Sequence, residues 1–157
     1  MQTVRQAIPA TPDRVFAVLS DGWAYASWVV GASHIRDVDE GFPAVGTRIH
    51  HSVGGWPVMV QDVSVVLEME KDRLFVLKVK AWPLFGGIVR VELEPTGDDG
   101  TLATMSEEFV DGPGRFVPEP LIAPVLKARN RESLRRLADR AVNDVRYAPG
   151  GANRLDS

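Results

Sequence analysis

The first short stretch, Val4–Pro9, reads as a strand, and the pattern then turns helical. Thr11-Pro12-Asp13 is a helix start, with a hydroxyl N-cap, proline at the first helical position and an acid in the first turn. Val15, Phe16, Val18 and Leu19 supply that helix's buried stripe, and Asp21-Gly22 interrupts it. Trp23–Trp28 then predicts a second short helix ending near Gly31.

From residue 35 onward the pattern becomes that of strands. Ile35–Val38, Arg48–Val53, Val58–Met69, Leu74–Trp82, Ile88–Glu94 and Leu102–Val110 are alternating or β-branched. They are divided by Gly41-Phe-Pro43, Gly54-Gly-Trp-Pro57, Glu70-Lys-Asp-Arg73, Pro83–Gly87 and Gly97-Asp-Asp-Gly100. Spacers this short join antiparallel neighbours, because a parallel crossover needs a dozen residues or more. A last element, Pro118 to Asn143, carries Leu126, Asn130, Leu134, Leu137 and Ala141 at intervals of four, four, three and four, one helical face. Pro124 is expected to kink or restart its first turns.

The order is strand, two short helices, six strands and one long helix: an α+β chain in which a curved antiparallel sheet of six to seven strands buries one face under a single amphipathic helix. The boundaries expected are one domain over residues 1–144 and a disordered tail over 145–157, where Ala148–Ser157 is small, polar and without an apolar face. A sheet wrapped around one helix leaves space between them.

Composition narrows the chemistry. The chain has 157 residues, 45% hydrophobic and 25% charged, which is globular and not disordered. It has no cysteine, so disulfides, thiolate metal sites and a cysteine nucleophile are excluded together. Eighteen basic residues against 21 acidic leave a net charge of −3, which argues against a nucleic-acid binder. There is no apolar run long enough for a membrane helix, and MQTVRQAIPA lacks a signal-peptide pattern, so a cytoplasmic protein without integral membrane association is expected. No HExxH, GxSxG, GxxxxGK[ST] or strand-following GxGxxG motif is present, and Asp37–Gly41 lacks the rest of a calcium loop. Neither a cofactor nor a metal is expected.

The element order resembles the helix-grip fold of the START/Bet v 1-like (SRPBCC) superfamily, and more narrowly the bacterial polyketide cyclase/dehydrase and lipid-transport proteins. The resemblance is carried by PDRVFAVLSDGWAYASWVVGAS (Pro12–Ser33), IHHSVGGWP (Ile49–Pro57) and RNRESLRRLA (Arg129–Ala138), and with the strand order it spans about residues 2–143. It implies a hydrophobic cavity between sheet and long helix. It does not imply a reaction, since lipid carriers, receptors, cyclases and chaperone cofactors share this scaffold.

Several residues are candidates for that cavity. His50 and His51, neighbours in a strand, must face opposite sides, so they cannot both ligate one metal. The inward one is either a general acid/base or an edge histidine bonded to backbone. Asp62 interrupts an apolar strand whose parity is ambiguous; inward it would orient the histidine or hold a substrate hydroxyl, outward it is a solvated carboxylate. Glu107 shares the inner face marked by Ala103, Met105 and Phe109, and either faces a ligand with a raised pKa or pairs with Arg129 or Arg131. Asn130, between Leu126 and Leu134 on the helix stripe, needs a buried partner, whether ligand, water or sheet. Trp23, Tyr25, Trp28, Trp56 and Trp82 form an aromatic set that either packs the core or rims the cavity, where the resemblance places Trp23, Trp28 and Trp56. The basic excess on the long helix (Lys127, Arg129, Arg131, Arg135, Arg136, Arg140) reads either as a surface for an anionic partner or as a solvated face with Glu132–Arg136 and Arg135–Asp139 pairs.

These residues support three functions. The leading one is binding of a small hydrophobic molecule (lipid, polyketide or aromatic compound) by a monomer or homodimer. The second is a cyclase or dehydratase in which a cavity histidine and Glu107 move protons. The third is an interaction or chaperone-cofactor module that uses an outer surface.

Overall fold

The computed structural model describes residues 1–55, 57–81 and 85–148. Strand β1 (Gln2–Ile8) leads into helix α1 (Pro12–Leu19), a 3₁₀ turn at Gly22–Ala24 and the single-turn helix α2 (Tyr25–Trp28). Six strands follow: β2 (Ala32–Val38), β3 (Arg48–Gly55), β4 (Val58–Glu70), β5 (Leu74–Ala81), β6 (Phe85–Pro95) and β7 (Thr101–Asp111). A 3₁₀ turn at Pro113–Phe116 precedes the long helix α3 (Glu119–Asn143).

The strands form one antiparallel sheet in the order β1-β7-β6-β5-β4-β3-β2. β2 to β7 are therefore successive hairpins, as the short spacers require. β1 closes onto β7, so β1 and β2 occupy opposite edges and the α1–α2 connection has to cross the width of the sheet. Register shifts in the β2–β3, β4–β5 and β6–β7 ladders mark bulges, which bend strands and increase twist. A seven-stranded antiparallel sheet gripping a long C-terminal helix, with short helices after the first strand, is the helix-grip arrangement.

The core lies on the concave face. Leu134, Leu137 and Ala141 of α3 are wholly buried against Val4, Val91, Leu93, Ala103 and Met105 of the sheet and Val15, Val18 and Leu19 of α1. Each fully buried leucine contributes about 1.5–3 kcal/mol relative to an exposed one. The stripe expected on α3 is the stripe that is buried, Asn130 included.

Three local expectations are corrected. Thr11 occupies the N-cap position of α1, but its hydroxyl makes no capping bond; the first turn is held by Arg14 N–H and Val15 N–H donating to the Thr11 carbonyl. Of the kink or restart expected at Pro124, the restart does not occur: helix α3 runs unbroken from Glu119, and the missing amide leaves the Pro120 carbonyl without its intrahelical donor. The chain also does not leave the fold at residue 145. Val145–Tyr147 form a 3₁₀ turn in which Tyr147 is buried; its hydroxyl donates to Asp21 Oδ2 at 2.6 Å, and Arg14 donates to its carbonyl. The apolar body of a tyrosine ring outweighs the polarity of its neighbours. Residues 149–157 of the expected tail lie outside the described residues. No helix among the described residues is long and apolar enough to cross a membrane.

Candidate functional site

A cavity of about 180 Å³ opens between the concave sheet and α3. Its apolar wall comes from Leu77 and Val79 of β5, Val89 of β6, Met105 of β7 and the segment Val29–Ala32 after α2. That segment crosses α3, where the Val30 amide donates to Ser133 Oγ at 3.1 Å. Gly31 within it has φ +105°, a conformation open to glycine at little cost, so the chain turns against the cavity there without strain.

The polar groups of the wall come from Tyr25, Trp28, His51, Lys80, Arg129, Asn130 and Ser133. His51 is inward because Ile49, two positions earlier, is wholly buried and strand side chains repeat every second residue. His50 faces the other way and is bonded at 2.9 Å to Asp39, which Arg48 also holds. These two partners keep the Asp39 carboxyl below its ordinary range. His51 is 2% exposed, and its Nε2 lies 2.9 Å from the Ser64 hydroxyl, which is 3.3 Å from the Tyr25 hydroxyl. The Tyr25 ring packs against two others, tilted against His51 at 5.7 Å and edge-on to Trp28 at 5.6 Å.

Burial disfavours charge on both titratable members of this group. It pushes the His51 imidazole below its ordinary value, against a smaller upward pull from Asp62, and it raises the Tyr25 phenol, against the hydrogen bond from Ser64. Both are therefore held in their neutral forms near neutral pH. Two nitrogens of the site have no hydrogen-bond partner among the described residues, Trp28 Nε1 and His51 Nδ1.

Glu107 does not stand free in the apolar space. It is 2% exposed and is gripped by the Arg129 guanidinium through both oxygens, while Asn130 Nδ2 donates to its Oε2 at 2.9 Å. The pairing with Arg129 and the structural bond of Asn130 to the sheet are thus the arrangements present. Arg129 and Asn130 present themselves to the cavity; Glu107 stands behind them.

Of the expected site residues, the fold brings Tyr25, Trp28, His51, Met105 and Asn130 together around the cavity. Leu126 and Leu134 are buried on α3 outside that lining, and Phe109 is half-buried beyond it. Asp62, the register partner of His51, is half-buried and acts on that ring through its charge. Trp23 is 61% exposed and is not part of the cavity lining, because the 3₁₀ turn that carries it buries Gly22 and Ala24 instead. Trp56 and Trp82 lie outside the described residues. Three of the helix cations pair locally, Glu132 accepting from both Arg135 and Arg136 and Asp144 from Arg140; Asp139 accepts from Asn143 rather than from Arg135.

Ser64 and the Val29–Ala32 segment were not among the expected site residues. Ser64 is a small polar residue in a strand with apolar neighbours on both faces, and its only signal is that it shares parity with the buried Val66. Among the described residues, no group of three His, Asp or Glu side chains could hold a metal ion.

A family model described as "Polyketide cyclase / dehydrase and lipid transport" matches residues 1–142. The fold is similar to the crystal structure of Ara h 8.0201, at a TM-score of 0.70 and 13% identity over 90% of this chain and 97% of the other. It is also similar to a START superfamily protein from Mycobacterium smegmatis, at 0.69 and 15% over 88% and 94%. A third likeness is to the di-domain ARO/CYC StfQ from the steffimycin biosynthetic pathway, at 0.66 and 14%, covering 88% of this chain and 50% of that one. No curated protein matches the chain.

Proposed function

Because the chain belongs to the polyketide cyclase/dehydrase and lipid transport family, we propose that it binds one small, largely hydrophobic molecule in the cavity between its sheet and α3. The observation that supports this most directly is the wall itself: Leu77, Val79, Val89, Met105 and Val29–Ala32 form an apolar surface interrupted by a few polar groups. Ligand pockets have this composition, apolar area supplying affinity and a few placed polar groups fixing orientation.

Native mass spectrometry of protein purified from its own host, against a denatured control, tests the reading. The expected result is a co-purifying hydrophobic molecule that is lost in Val89→Trp, which fills the cavity. A clean apo mass, with no mass shift across a panel of lipids and polyketides, would sink it.

A second reading, cyclase or dehydratase, is favoured by one observation. His51 is a neutral base in an apolar wall, linked through Ser64 to a neutral phenol. General acid/base work needs such a group within reach of substrate. In that reading Glu107 orients Arg129 and Asn130 and does not carry the proton. His51→Ala then abolishes turnover of the co-purified class and retains its binding. In a carrier the same change alters affinity alone.

A further inference from the structure

Two residues of the wall belong to a charged cluster that is closed on itself. The Arg129 guanidinium grips both oxygens of the Glu107 carboxylate through Nη2. Asn130 Nδ2 donates to Glu107 Oε2 at 2.9 Å, and Asn130 Oδ1 lies 3.4 Å from the same Nη2. Glu107 is 2% exposed, whereas the Arg129 side chain is 27% exposed and borders the cavity. Nε and Nη1 of Arg129 have no hydrogen-bond partner among the described residues. The cavity therefore meets a guanidinium that still has donors to offer, but whose charge is offset by Glu107.

The other charged groups around the cavity do not tip that balance toward positive. Burial keeps His51 neutral. Asp62, opposite His51 in the β3–β4 register, acts on that ring as a negative charge, and Arg36, which donates to the Asp62 carbonyl, opposes it. Lys80 is exposed, so water and salt screen its charge. The groups that face the space carry no excess of positive charge.

A ligand carboxylate brought here would lose its water and find no unbalanced cation. It would share Arg129 with Glu107, and two carboxylates on one site disfavour the ionised form. An uncharged polar group is served both ways. It can accept from the remaining Arg129 N–H groups, and it can donate to Asn130 Oδ1 or the Ser133 hydroxyl. Building on the cavity-binding reading, we propose that the site selects an uncharged ligand over its anion, and that Glu107 sets this preference by offsetting Arg129. Glu107 acts through Arg129 and is a positioning residue for specificity, not a ligand contact.

Decanol and decanoate, one chain length with two head groups, test this when titrated calorimetrically into the full chain at pH 8. The wild type should bind decanol about tenfold tighter than decanoate. Glu107→Gln keeps the shape and removes the negative charge, so decanoate should gain about tenfold while decanol stays within about threefold. Adding Arg129→Gln to that variant should cancel the gain. A merely structural Glu107 would weaken both probes alike and leave their ratio unchanged. A second measurement needs no variant. In ¹³C spectra of carboxyl-labelled decanoate bound to the wild type, the carboxyl should titrate above its ordinary range of about 4–5. Wild-type preference for decanoate, an unchanged ratio in Glu107→Gln, or a bound carboxyl that titrates below the ordinary range overturns the selectivity assignment and leaves cavity binding intact. Failure of both probes to bind overturns both.

Discussion

The Ser64 hydroxyl lies 2.9 Å from His51 Nε2 although the two residues do not face each other across the β3–β4 ladder. His51 is opposite Asp62, and Ser64 is opposite Ile49. They meet on the diagonal, two positions along, where antiparallel neighbours on one face still come within reach. That diagonal converts an isolated histidine into the end of a hydrogen-bonded row from Tyr25.

Removing the middle of the row should be costly. Ser64→Ala leaves a buried phenol and a buried imidazole nitrogen each without a partner, and should lower stability by about 2–4 kcal/mol at neutral pH. Urea unfolding followed by circular dichroism checks this. A loss under 0.5 kcal/mol would show that the row contributes little.

The same burial makes stability depend on pH. His51 has a folded value below the ordinary 6.5, so between the two values the unfolded chain binds more protons than the native one. Stability is at its full value above about pH 6.5 and falls as pH drops through that value toward the lower native one. The slope per group cannot exceed about 1.4 kcal/mol per pH unit. His51→Gln should flatten the wild-type curve in this window; curves of identical slope would contradict the assignment.

Glu107 and Arg129 make a different prediction. Glu107→Gln leaves the guanidinium, whose side chain is 27% exposed, without its carboxylate. A fully buried partner lost in this way costs about 3–5 kcal/mol, and the access of Arg129 to water reduces this to about 1–3 kcal/mol. Combining it with Arg129→Gln should recover part of the loss, and a double-mutant cycle measures how much. Additive losses would mean that the two side chains do not depend on each other.

The tryptophans should divide by burial. Trp23→Ala, at an exposed position, is expected to change stability by no more than about 0.5 kcal/mol and to leave ligand affinity alone. Trp28→Ala empties a packed site at the cavity wall and should cost about 3–5 kcal/mol. Thermal melts of both variants, with native mass spectrometry for the co-purifying molecule, test the contrast.

Tyr147 tests where the domain ends. Tyr147→Phe removes only the hydroxyl that donates to Asp21 and should cost about 1 kcal/mol. Tyr147→Ala also loses the buried ring and should cost about 3 kcal/mol. If neither change moves the unfolding midpoint, residues 145–148 are dispensable to the fold.

How much was legible beforehand follows the physics of each signal. The six hairpin strands and the stripe Leu126–Asn130–Leu134–Leu137–Ala141 were readable, since apolar period and turn residues are local properties. That His50 and His51 face opposite sides was readable for the same reason. Which one points inward had a signal too, the wholly buried Ile49 two residues earlier, but the apolar position alone did not say which face would be covered. The outward turn of Trp23 was not readable, because its side chain follows from how a 3₁₀ turn seats Gly22 and Ala24 on the core.

By itself, then, the chain determined its elements, their antiparallel succession and the amphipathic helix that must cover them, because backbone geometry ties each of these to nearby residues. Only the tertiary structure decided that Ser64 joins His51 to Tyr25, that Arg129 and Asn130 stand between Glu107 and the cavity, and that Trp28 Nε1 and His51 Nδ1 have no hydrogen-bond partner among the described residues. Those outcomes depend on register across β3 and β4 and on the seating of α2 and α3 against the sheet, relations between residues far apart in sequence that no local period encodes.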